Sequence, residues 1–138
     1  RYRRPVLTHT GTFDYFIAKS PSASFGRPAA FEKLVAAFPD VPFVLGHMGI
    51  HEADQAIALA EKYENVYLET SFQSYRNIRK AVAKIGKERV IFGSDWPESE
   101  QLVPLNIARR AAGKDLGLME AILYKNAEAL IGPINPSA

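Results

Sequence analysis

Four short apolar runs punctuate the chain, and each ends on polar residues. Pro5-Val6-Leu7 leads into Thr8-His9-Thr10-Gly11, and Val41-Pro42-Phe43-Val44-Leu45 into Gly46-His47-Met48-Gly49. Val66-Tyr67-Leu68 leads into Glu69-Thr70-Ser71, and Val90-Ile91-Phe92 into Gly93-Ser94-Asp95-Trp96-Pro97. Runs this short and continuously apolar predict strands covered on both faces, as in a parallel sheet flanked by helices. Between them the period changes. From Glu52 to Tyr63, residues Ala53, Ala56, Ile57, Leu59, Ala60 and Tyr63 share one side of a helix, with Glu and Lys opposite. Arg76 to Ile85 repeats the pattern through Ile78, Ala81, Val82 and Ile85, and Gly86 stands in the C-cap position. Pro28 opens a further helical stretch with Phe31, Leu34, Val35 and Phe38, closed by Pro39-Asp40. After the fourth run, Pro104 to Ala112 and Leu118 to Ile131 predict two helices stopped by Gly113 and Gly132, and Pro133 and Pro136 end regular structure.

Strands beginning near Val6, Phe43, Val66 and Val90 therefore alternate with helices. That order predicts an α/β fold of parallel β/α units joined by right-handed crossovers. Residues 12–27, rich in Ser, Pro, Gly and aromatics, form a long connection, which in a compact domain is expected to be a functional lid or disordered. No linker interrupts the pattern, so residues 1–138 are expected to form a single domain, large enough to bury roughly two-thirds of its unfolded surface.

Composition narrows the function classes. With 47% hydrophobic and 23% charged residues the chain is globular in character. Its net charge of +2 owes much to Arg1, Arg3 and Arg4 and lacks the basic helix with aromatics expected of a nucleic-acid binder. No run approaches the ~20 apolar residues of a membrane span, and the apolar stretch after the basic start is too short for a secretory signal. The absence of cysteine excludes disulfides and thiolate metal sites and fits a cytoplasmic protein.

If the four strands are parallel, His9, His47, Ser71 and Asp95 emerge at one end of the sheet, the end where ligands bind in such folds. Imidazoles and a carboxylate are the donors of a catalytic divalent metal of the zinc type, which keeps a position open for water. The aspartate or an unligated histidine would take the water's proton. Ser71 and Trp96 are placed as substrate contacts at that end. Ser71 has no G-x-S-x-G elbow around it, so it is not read as a nucleophile. His51 is expected on the surface or at a helix cap, and Glu69, inside the third strand, is a candidate for a buried pair whose role the sequence leaves open.

Several of these stretches together resemble one family. Thr8-His9-Thr10-Gly11, Phe31-Glu32 through Phe38-Pro39-Asp40, Leu45-Gly46-His47-Met48-Gly49, Asn65-Val66-Tyr67-Leu68-Glu69-Thr70-Ser71, Phe92-Gly93-Ser94-Asp95-Trp96-Pro97 and Asn126-Ala127-Glu128 are similar, in order, to the second half of the amidohydrolase-2 branch of the amidohydrolase superfamily. The resemblance implies a (β/α)8 TIM barrel of metal-dependent hydrolases, lactonases and non-oxidative decarboxylases, with the four strands here as strands 5 to 8. It implies that His9 is the fifth-strand metal ligand and that Asp95 is the eighth-strand aspartate, binding metal and handling the water proton. His47 would be the sixth-strand histidine, acting on water or substrate or binding a second metal. The cofactor so implied is a divalent metal, zinc first.

The family's first-strand His-x-His pair, which supplies two ligands, does not occur in these 138 residues. The chain is accordingly expected to be a C-terminal half-barrel that binds metal weakly and is inactive by itself. Its first and fourth strands would be open edges, and its partner the missing half or, in a homo-oligomer, a second copy. The expected ligand is a small-molecule substrate, reached by hydrolysis of a lactone, ester or amide or by decarboxylation. A rival reading is a non-catalytic half-barrel module that works by association. A flavodoxin-like sheet binding an anion is less favoured, because no glycine-rich phosphate loop follows any strand.

Overall fold

The computed structural model describes residues 4–11 and 25–132. Most of the expected lid, residues 12–24, and the terminal Pro133 and Pro136 lie outside them. Within the described residues, β1 (Val6–His9), β2 (Phe43–Gly46), β3 (Val66–Glu69) and β4 (Val90–Ile91) form one sheet in the order β1-β2-β3-β4. Every pair is parallel, in the registers Thr8↔Leu45, Leu45↔Leu68 and Leu68↔Val90. The strands begin at the four positions the apolar runs predict, and each ends before the polar stretch that follows its run is complete. The fourth keeps only Val90 and Ile91, and Phe92 to Pro97 leave the sheet.

Strand residues alternate in direction, and the two faces differ. Phe43, Leu45, Val66, Leu68 and Val90 enter the core cluster, where they meet the apolar stripes of the helices. α1 (Glu32–Ala37), entered through a 3-10 turn at Pro28–Phe31, contributes Val35. α2 (Ala53–Lys62) contributes Ala53, Ala56, Ile57, Leu59 and Ala60. α3 (Tyr75–Ile85) contributes Ile78, Ala81 and Ile85. Ser74 caps α3 by accepting from the Asn77 N–H, and Gly86 ends it at φ 82°, a conformation that costs glycine little. α4 (Leu102–Ala112) begins two residues before the expected Pro104 and buries Ala108 and Ala111. Tyr67 and Glu69 belong to the other face, as does Leu7, which is 70% exposed.

The amino ends of the strands are tied by side chains. One Arg89 guanidinium donates to the Ala60, Tyr63 and Val66 carbonyls, joining the end of α2 to β3. The Asn65 amide reaches the Val35, Phe38 and Val41 carbonyls around the end of α1.

Two expectations change here. The single helix predicted over Leu118–Ile131 is three pieces: α5 (Leu116–Glu120), a widened π-type turn at Ala121–Lys125, and α6 (Asn126–Ile131). The Phe92 N–H, which faces away from β3, takes the Ile122 carbonyl at 2.9 Å, and the Asn126 amide takes the Val90 carbonyl at 2.8 Å. The C-terminal segment thus satisfies the outer side of β4. Of the two open edges expected, only that of β1 is found among the described residues.

Candidate active site

Each candidate side chain stands just past or at the end of a strand. His9 is the last residue of β1, His47 directly follows β2, Ser71 stands two residues past the end of β3, and Asp95 lies beyond β4. At His47 and Asp95 the backbone enters the left-handed region, with φ 61° and 59°, as it also does at Met48 and Ile50. Such non-glycine conformations are costly and persist only where surroundings enforce them, a circumstance common at functional sites.

Around His47 that enforcement is visible. Its N–H donates to Glu69 Oε2 at 2.8 Å, and its carbonyl accepts from Gln73 Nε2 at 2.6 Å. Gln73 also donates to the Ile50 carbonyl and is oriented by Asn77, so it spans the whole left-handed stretch. On the near side, the buried Thr10 hydroxyl donates to the Gly46 carbonyl and accepts from the Gly49 N–H. Gly11, at φ 95°, lies against Gly49 so closely that a Cβ there would stand 2.5 Å from Gly49 backbone.

The structure brings three of the expected groups together. The His9 and His47 rings meet edge to face with centroids 4.8 Å apart. His47 Nε2 stands 3.8 Å from Asp95 Oδ1, beyond direct hydrogen bonding and within ion-pair range. His9 Nε2 donates to the Gly11 carbonyl at 3.2 Å, the kind of outer support that a metal-binding imidazole commonly has. Burial of the ring pushes His47 below the ordinary histidine range; Glu69 and Asp95 oppose the shift and His9 adds to it. The donor chemistry, imidazole and carboxylate, suits a divalent metal in kind. In number it falls short, since among the described residues no group of three or more His, Asp or Glu is placed to hold one.

The remaining candidates separate. Ser71 is 1% exposed, with its hydroxyl held between His47 Nδ1 at 2.6 Å and Glu69 Oε2 at 2.7 Å, turned inward from the open end. Trp96 is 66% exposed. His51 is exposed, as its place before α2 suggests. Beside the site, Phe72 packs its ring 5.5 Å from that of His47 and joins Gln73, Val103 and Ile107 around a cavity of about 280 Å³. Glu69 and Gln73 are the contributors that sequence reading does not assign. Glu69 leaves a trace as an acid in an apolar strand, whereas Gln73 leaves none.

Comparison with known proteins places the chain by family and fold. The amidohydrolase-2 family model, described as amidohydrolase, matches residues 1–132. No curated protein matches. Among solved structures, an uncharacterized TIM-barrel protein from Bordetella bronchiseptica superposes with TM-score 0.73 at 22% identity, covering 91% of this chain and 44% of its own. A dihydroxybenzoic acid decarboxylase from Polaromonas, with bound manganese and the inhibitor 2-nitroresorcinol, gives 0.66 at 16% identity, covering 92% and 49%. An amidohydrolase from Burkholderia multivorans with bound zinc gives 0.61 at 17% identity, covering 75% and 48%. The chain therefore spans about half the length of the solved structures it resembles. A parallel four-strand sheet with TIM-barrel neighbours, and a family match over nearly every residue, make this chain a member of the amidohydrolase-2 family.

Proposed function

We propose that residues 1–138 form one domain, the C-terminal half of a TIM-barrel enzyme, with β1 to β4 as its strands 5 to 8. In this reading His9 and Asp95 are metal ligands and His47 and Asp95 handle protons. The observation that carries it is the meeting of His9, His47 and Asp95, from three different strands, at the carboxyl end of one parallel sheet. His9 and Asp95 would hold a divalent metal together with ligands from outside the described residues. Zinc is the first choice, and zinc and manganese are both bound by structural neighbours. When bound, such an ion makes water a stronger acid and polarises an oxygen of the substrate.

The proposed reaction is hydrolysis of a lactone, ester or amide, or decarboxylation of an aromatic or unsaturated acid. In hydrolysis the water oxygen bonds to the carbonyl carbon, Asp95 or His47 takes the water's proton, and that proton passes to the departing oxygen or nitrogen as its bond breaks. In decarboxylation the bond to the carboxyl carbon breaks, carbon dioxide departs, and the same groups deliver a proton to the carbon left behind. Trp96 and the cavity bounded by Phe72, Val103 and Ile107 offer apolar surface for the rest of the substrate. Ser71 acts from behind His47.

The test uses the full-length native protein, screened with lactones, esters, amides and aromatic acids. Dialysis against a chelator should abolish turnover, and zinc or manganese should restore it. Asp95→Asn should lower metal content and cut turnover by about a hundredfold or more. Unchanged metal content and turnover in Asp95→Asn would overturn the assignment.

A second reading, an assembly module without catalysis of its own, is favoured by the incomplete donor set and by Leu7, 70% exposed on β1. Sedimentation tests it. A monodisperse monomer would argue against any need for a partner, whether the missing half or a second copy.

A further inference from the structure

We propose that Glu69 and Ser71 are positioning residues that fix the ring orientation and tautomer of His47, so that Nδ1 carries the proton and Nε2 presents its lone pair toward Asp95. The inference rests on the reading of His47 as the proton-handling group and supplies what that reading lacks, a reason for one nitrogen rather than the other to do the work.

The assignment follows from counting hydrogens. A carboxylate only accepts, and Glu69 is approached by three donors: the His47 N–H at Oε2, the Ser71 N–H at Oε1 and the Ser71 hydroxyl at Oε2, at 2.8, 2.5 and 2.7 Å. The hydroxyl has one proton, and it is spent on Glu69. Toward His47 Nδ1, 2.6 Å away, Ser71 Oγ can then only accept. The opposite arrangement, with Ser71 donating to the ring, would require a proton on Glu69 where two backbone N–H groups already converge. In a neutral imidazole a proton on Nδ1 leaves the lone pair on Nε2, the nitrogen that faces Asp95 Oδ1 at 3.8 Å. Both side chains are shielded, His47 at 11% and Glu69 at 12% exposure, so water competes little for these bonds.

A residue in the segment that follows β4 makes room for this arrangement. A Cβ at Gly93 would stand 2.0 Å from Glu69 Oε1 and 2.5 Å from its Cδ. Gly93 has no positive φ, so its lack of a side chain serves space rather than backbone freedom. The glycine two residues before Asp95 thus admits the carboxylate that orients His47.

Nitrogen-15 spectra of the full-length protein with labelled histidine read the tautomer directly, without substrate. His47 should show a protonated Nδ1 and an unprotonated Nε2. Ser71→Ala, Glu69→Gln and Gly93→Ala should each move the ring toward the other tautomer or a mixture, and Ser71→Thr should restore the native pattern. Where turnover is measurable, Ser71→Ala should lower kcat by about 10- to 100-fold with little change in KM. Near-ultraviolet circular dichroism checks that each variant is folded, and the isosteric Glu69→Gln keeps the test sharp if Gly93→Ala is not. A native spectrum with the proton on Nε2, or a Ser71→Ala spectrum like the native one, would overturn the proposal. A tautomer that shifts as expected while turnover is unaffected would uphold the positioning and remove His47 from the chemistry.

Discussion

Thr10 shows how single atoms position this site. Its hydroxyl, fully buried, accepts from the Gly49 N–H and donates to the Gly46 carbonyl, so one side chain ties together the two flanks of the turn that carries His47. Thr10→Val keeps the shape, takes the acceptor from the Gly49 N–H and leaves the Gly46 carbonyl with the Thr10 N–H alone, which should cost about 1–3 kcal/mol in urea unfolding. A variant as stable as the parent would mean that water or a shifted backbone replaces those bonds. Such a threonine cannot be singled out in the sequence, where it is one polar residue beside the more conspicuous His9. His9, His47 and Asp95 were legible because each follows an apolar run at the offset where a strand ends. Their mutual distances were not, because those depend on left-handed turns at His47 and Asp95 that the residue types do not announce. The inward turn of Ser71 belongs to the same class. It is dictated by Glu69, whose carboxylate lies on the sheet face away from the helices.

Among the elements, the caps and edges decide more than propensity does. Ser74→Ala removes the cap of α3 and should cost about 1 kcal/mol. Asn126→Ala should cost more, about 2 kcal/mol, since the Lys87 and Val90 carbonyls both lose the same amide and the latter lies in the core. Equal losses in the two variants, measured by the same denaturation midpoints, would contradict that ranking. Helical periodicity runs unbroken from Leu118 to Ile131 in the sequence, so nothing there foretells the π-type turn. The turn coincides with the Ile122 carbonyl accepting from the N–H of Phe92, just past β4, a demand set by a segment some thirty residues away in the chain. Widened turns of this kind often mark places where a helix meets such an outside claim.

Over the whole molecule the two ends of the sheet have different occupations. The amino ends are bound together by Asn65, Arg89 and Asn126 acting on backbone carbonyls, while the carboxyl ends carry the imidazoles and carboxylates. This division, with backbone ties at one end and the candidate functional groups at the other, is the one expected of (β/α) barrels. The outer edge of β1 remains without a strand partner among the described residues, and Leu7 and Val6 are 70% and 42% exposed there. On the proposed half-barrel reading this is where further strands add. Leu7→Glu should then lower the assembled mass in sedimentation while leaving the far-ultraviolet spectrum of the α/β fold in place. If mass and stability both stay within error of the parent, Leu7 faces only water, as a surface substitution usually permits.

The sequence by itself determined the order of strands and helices, their parallel arrangement and the identity of the residues at the strand ends. Those features follow from hydrophobic period and from the handedness of crossovers, which are local or topological. The tertiary structure alone decided that β4 would be capped by the chain's own C-terminal segment and that His47 would be gripped through Ser71 by Glu69. It also decided that Gly93 would yield its space to that carboxylate. Each depends on atoms meeting across tens of residues, where distance and direction, rather than residue type, select the partner.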